Sequence, residues 1–120
     1  MTKDRKTLSR EYKEAPRIMG VAMIRNTVNG KSLLVAGPNL PALLNRHKAQ
    51  LRLGMHPNRS LQQEWNAEGP DAFQFEIVDT LTAPEKTEDI AEELRVLEAL
   101  WMEKLLPFEP AGYHRKPKAR

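Results

Sequence analysis

The chain has 120 residues, a formal net charge of +3, 40% hydrophobic and 29% charged residues, and no cysteine. That length holds one hydrophobic core, and the lack of cysteine excludes disulfide staples, thiolate zinc sites and a cysteine nucleophile. No apolar run approaches the roughly 18 residues of a membrane helix, and the polar start lacks the apolar stretch of a signal peptide, so a cytoplasmic location without a membrane partner is expected.

Residues 1–16 read as a basic N-terminal arm ending at Pro16, with Leu8, Tyr12 and Ala15 as its apolar anchors. A first strand is expected from Arg17 or Ile18 to Asn26; residues Thr27 to Lys31 turn the chain, and a second strand then runs to about Ala36. Asn29-Gly30 between them is a strong hairpin signal, because both residue types tolerate the positive φ of a type I′ turn. Gly37-Pro38 breaks the second strand. A helix is expected from Asn39 to Leu53, with Leu40, Leu43, Leu44, His47 and Leu51 on one face and Gly54 at its end. A shorter helix follows, capped by Asn58, carrying Leu61 and Trp65 and stopped by Gly69-Pro70. Phe73-Gln74-Phe75-Glu76-Ile77 alternates as a half-buried strand does. The last helix, from about Glu88 to Leu105, puts Ile90, Leu94, Leu97, Trp101 and Leu105 on one inward stripe. The folded domain is thus expected over residues 17–110, followed by a basic tail, 111–120. The order β-β-α-α-β-α predicts an α+β fold, a small three-stranded antiparallel sheet flanked by helices.

Charge is unevenly spread. The arm has Lys3, Arg5, Lys6, Arg10 and Lys13 (with Arg17 just after it) against Asp4, Glu11 and Glu14. Arg46, Lys48, Arg52 and Arg59 lie in a stretch with no acid, and the tail carries Arg115, Lys116, Lys118 and Arg120. Glu85, Glu88, Asp89, Glu92, Glu93, Glu98 and Glu103 make the last helix region acidic. A basic face of this kind suits a polyanion, and a solvated surface with two basic ends fits the composition equally. Arg46, Lys48, Arg52, Arg59, Arg115 and Lys116 are the candidate nucleic-acid contacts.

The element order, together with Gly20-Val21-Ala22 opening the first strand, Asn29-Gly30-Lys31 in the turn and the helix–helix–strand block from Asn39 to Asp79, resembles the GIY-YIG nuclease domain over residues 18–114. The resemblance implies hydrolysis of a DNA phosphodiester with one divalent metal. Tyrosines would support the attack, an arginine and a histidine would stabilise the phosphate, and a glutamate on the last helix would hold the metal. Carried onto this chain, the first-motif tyrosine falls on Ala22, the second motif on Leu33-Leu34-Val35 and the helix arginine on Leu43. The histidine is present as His47, and the glutamate is matched by Glu98, the one metal-ligand candidate. The late asparagine falls on His114. Two phenols and a guanidinium are therefore replaced by aliphatic groups that neither move a proton nor offset charge. Losing one oxyanion stabiliser alone typically costs ~10²–10³ in rate.

The resemblance thus implies a catalytically degenerate domain that binds nucleic acid without cleaving it. Two alternatives stay open: a protein-interaction or regulatory module, and a residual metal-dependent DNA endonuclease using His47 and Glu98. No cofactor is expected, Mg²⁺ or Mn²⁺ entering only in the last case. His47 needs a partner to move a proton, and the sequence offers no obvious one. The two tyrosines, Tyr12 and Tyr113, lie outside both motifs and would have to swing in from a terminus. His47, His56 and His114 are not spaced as a zinc motif.

Overall fold

A computed structural model describes residues 18–82 and 89–115. The arm at 1–16, Lys116 and the rest of the tail, and the Pro84 loop with Glu88 lie outside the described residues. Three strands, β1 (Met19–Asn26), β2 (Ser32–Gly37) and β3 (Phe73–Leu81), form one sheet in the order β2-β1-β3 with both pairings antiparallel. Three helices accompany it: α1 (Leu40–Leu53), α2 (Arg59–Glu68) and α3 (Ile90–Leu105). The expected α+β architecture is the observed one.

Strand alternation divides the sheet into two faces. Ala22, Ile24, Leu33, Val35, Phe73 and Phe75 share one face, and with Leu40, Leu51, Leu61, Trp65 and Tyr113 they form the main core under α1 and α2. Val21, Met23, Leu34 and Asp79 share the other, which α3 covers. Leu94 is buried there, and the Trp101 indole N–H donates to an Asp79 carboxylate oxygen at 2.9 Å. Both tryptophans serve packing, Trp65 lying 5.3 Å from the Phe73 ring. Leu105, expected on the inward stripe, is 41% exposed, because the helix ends there and Leu106 takes a left-handed φ of 47°.

The helix starts follow their caps. The Asn39 side chain accepts from Ala42 N–H at 3.2 Å and that of Asn58 from Leu61 N–H at 3.0 Å. The hairpin differs from expectation. Asn26 N–H bonds to the Lys31 carbonyl and Gly30 N–H to the Asn26 carbonyl, leaving a four-residue loop, Thr27–Gly30, in which Gly30 (φ 79°) has positive φ and Asn29 does not. A type I′ turn is therefore not formed. Asparagine side chains close the loop instead: Asn26 Oδ1 accepts from Val28 N–H and Asn29 Oδ1 from Lys31 N–H.

The folded body also extends past residue 110, where a tail was expected to begin. Tyr113 is 1% exposed. Its N–H donates to the Ser32 carbonyl at 3.0 Å, and Leu34 N–H donates to His114 Nε2 at 2.8 Å, so this segment lies along the free edge of β2. An edge strand otherwise presents unpaired backbone groups, which explains why the segment is held. No helix among the described residues is long and apolar enough to cross a membrane.

Candidate functional site

Ala22 and Leu33, the positions where the resemblance places tyrosines, are buried in the core at 0% and 8% exposure. Leu43 is half-buried, its Cδ2 3.1 Å from where a Cβ on Gly37 would stand. None of the three offers a polar atom. The phenol missing from the motifs enters from the other end of the chain, since the Tyr113 ring belongs to the same core cluster as Ala22 and Leu33.

The Tyr113 hydroxyl donates to Glu64 Oε1 at 2.5 Å. Glu64, on α2, also accepts from Asn26 Nδ2 (3.0 Å), Asn29 Nδ2 (2.9 Å) and Lys31 Nζ (2.9 Å). Burial works against its charge, but the bonds from Tyr113, Asn29, Lys31 and Asn26 outweigh it and hold its pKa down to about 2. Burial, reinforced by the bonded carboxylate, pushes the Tyr113 phenol above its usual range. The phenol therefore keeps its proton at neutral pH and is no base. This network fastens the hairpin loop, α2 and the C-terminal segment together.

His47 has the partner that the sequence did not reveal. Its Nδ1 lies 2.8 Å from His56 Nε2, with ring centroids 5.0 Å apart. The backbone N–H of Asn58 donates to His56 Nδ1 at 3.0 Å, so neutral His56 carries its proton on Nε2 and donates to His47 Nδ1. His47 then bears its proton on Nε2. Burial, with the adjoining His47 ring, lowers His56 to about 4, and burial with the Arg46 charge lowers His47. The pair is neutral at pH 7 with both acceptor nitrogens engaged. It can offer an N–H to an anion but has no free lone pair to take a proton. Because both pKa values are depressed, stability is expected to fall as pH drops from about 6.5 toward 4. Urea unfolding of the chain and of His56→Gln over that range checks this, with a flatter profile expected for the variant. The third histidine, His114, stands apart from this pair, against the edge of β2, and burial lowers its pKa.

Glu98 projects from α3, which packs on the opposite face of the sheet from α1. It is half-buried, and desolvation raises its pKa. No hydrogen bond or ion pair reaches it among the described residues, nor do three His, Asp or Glu side chains converge to hold a metal there. A single carboxylate holds Mg²⁺ weakly in the absence of substrate phosphates, because the ion keeps several waters and takes only one or two carboxylates beside them.

The basic candidates separate. Lys48 lies 4.9 Å over the Phe75 ring, Arg52 is exposed one turn later on the same face of α1, and Arg46 adjoins His47. Arg59 and Arg115 do come together. With Asn58, Ser60 and His114 they line an open cleft of about 450 Å³, joined by Pro57, Tyr113 and the opposing charge of Glu109. Sequence distance hid this pairing.

Among solved structures, the chain is similar to the catalytic domain of the homing endonuclease I-TevI. The identity is 25% and the TM-score 0.64, over 82% of this chain and 99% of that one. It is also similar, at 24% identity and TM-score 0.64, to a mutant of the catalytic domain of intron endonuclease I-TevI, over 85% of this chain and 97% of that one. No protein-family model and no curated protein sequence matches the chain.

Proposed function

We propose that this chain, which has a GIY-YIG nuclease-like fold, binds nucleic acid through a basic face and does not cut it. The observation that carries the reading is the chemistry at the carried-over positions. Ala22 and Leu33 are sealed in the core, Leu43 packs against Gly37, and the nearby histidine pair is neutral with its acceptors engaged. The base and the arginine of the phosphate clamp are lacking together, and each loss lowers the rate by orders of magnitude. Arg59 and Arg115 in the open cleft supply cationic groups for phosphate, supported by Arg46, Lys48, Arg52 and the basic Lys116.

Binding of this kind releases counterions and weakens steeply with salt. Titrating labelled duplex and branched DNA at several salt concentrations is expected to give weak binding with a negative log–log slope. The Arg59→Ala/Arg115→Ala variant should reduce that slope by about 2, one for each phosphate no longer neutralised. Absence of binding at low salt overturns the reading. Cleavage is tested separately, by incubating supercoiled plasmid with Mg²⁺ or Mn²⁺. The expected result is the same background nicking for the chain, Glu98→Ala and His47→Ala. Metal-dependent nicking abolished by either change would make the chain an endonuclease.

A second reading, a protein-interaction module, is favoured by the apolar side chains that α3 leaves exposed, Val96 and Leu100. A stoichiometric protein complex that survives nuclease treatment would support it over DNA binding.

A further inference from the structure

α3 leaves an apolar strip uncovered. Val96 and Leu100 are each 51% exposed, and with Leu81, Leu97 and the stems of Glu92 and Glu93 they line a shallow groove of about 320 Å³. Leu81 ends β3 and pairs with Met19, the first residue of β1. Residues 1–17 therefore join the body immediately beside this groove.

That segment has the complementary chemistry. Leu8, Tyr12 and Ala15 recur at i, i+4 and i+7, the spacing of one helical face. Lys3, Arg5, Lys6, Arg10, Lys13 and Arg17 outnumber Asp4, Glu11 and Glu14. The groove lies on an acidic helix, whose Glu92, Glu93, Glu98 and Glu103 face only Arg95 and Lys104, with Arg95 already paired to Glu92.

We propose that the N-terminal arm of this same chain folds back and occupies the groove, setting Leu8, Tyr12 and Ala15 against Val96, Leu97 and Leu100. The lengths agree. As helix, the seven steps from Leu8 to Ala15 span about 10 Å, and the eight steps from Glu92 to Leu100 about 12 Å. Pro16 ends a helix before Ile18 and so permits the reversal between arm and β1. Docking brings the arm's bases beside the α3 carboxylates, whereas a second copy of α3 on the same groove would oppose acid to acid. The inference does not depend on DNA binding.

The chain has no cysteine, so Ser9→Cys provides a single attachment point for a nitroxide spin label on the full-length protein. The expected result is paramagnetic loss of the amide signals of Leu81, Val96, Leu97 and Leu100, unchanged on dilution. Leu8→Ser/Tyr12→Ser in the labelled chain should restore those signals, with the remaining amide shifts those of the folded body. Broadening elsewhere, or nowhere, overturns the proposal. So does broadening that appears when labelled unenriched chain is mixed with unlabelled enriched chain, since the groove would then be filled by a second copy.

Discussion

Replacing Gly20 with alanine is expected to lower the unfolding free energy by about 4 kcal/mol or more, a range reached by strain and collision rather than by loss of packing. Gly20 has φ 149°, and a Cβ there would stand 2.0 Å from the Asp79 carbonyl oxygen and 2.7 Å from the Thr80 Cα. Neither neighbour can yield easily. Gly20 belongs to the central strand, paired on one side with Gly37 and on the other with Thr80. The close approach occurs beside a bulge, where the pairing skips Val78 between Val21↔Asp79 and Ala22↔Ile77. The first glycine of the motif is therefore needed by the sheet itself, whatever becomes of the residues that would do chemistry. Gly30→Ala is the control. Its φ is 79° and nothing lies within 4 Å of the added Cβ, so only the left-handed backbone resists, at about 1 kcal/mol. Urea unfolding followed by far-ultraviolet circular dichroism gives both values, and equal losses would refute the steric account.

Replacing Glu64 with alanine is expected to cost about 3 kcal/mol. Hydrogen bonds to charged groups contribute about 1.5–3 kcal/mol, and the change also strands donors that the fold has taken from water. Four groups would lose their acceptor: the Tyr113 hydroxyl, Lys31 Nζ, and the amides of Asn26 and Asn29. Asn26 and Tyr113 are both buried, so water cannot replace the carboxylate at them without disturbing the core. Tyr113→Phe, which leaves Glu64 its other donors, should cost about 1 kcal/mol. The pH dependence carries a definite sign. The folded-state pKa lies at about 2, below the ordinary 4.5, so the network's stabilisation is complete above about 4.5 and is lost as pH falls toward 2. Acid titration of the chain and of Glu64→Gln should therefore converge at low pH and differ at neutral pH. A constant difference across the range would mean that the charge of Glu64 plays no part.

Much of the fold was legible because local rules govern it. Asn39 and Asn58 announce helix starts through bonds reaching only three residues, and the Phe73–Ile77 alternation reads directly as a strand. The hairpin was placed correctly and its turn type was not. Asn29 is spent on bonds to Lys31 and Glu64, which hold it out of positive φ, and Glu64 is 35 residues away.

The element order, the sheet-forming hairpin, the absence of thiol chemistry and the aliphatic identity of Ala22, Leu33 and Leu43 can all be read from the residues in order. Those are properties of residue type and short-range periodicity. Long-range packing alone settles that His47 meets His56, that Arg59 and Arg115 line one cleft, and that Tyr113 returns to the core as a locked phenol rather than trailing in a tail. Each of these joins residues brought together by packing of the helices and the C-terminal segment against the sheet. Whether a side chain's proton is held or free depends on what that packing sets beside it and how much water it removes, and neither is written in local sequence.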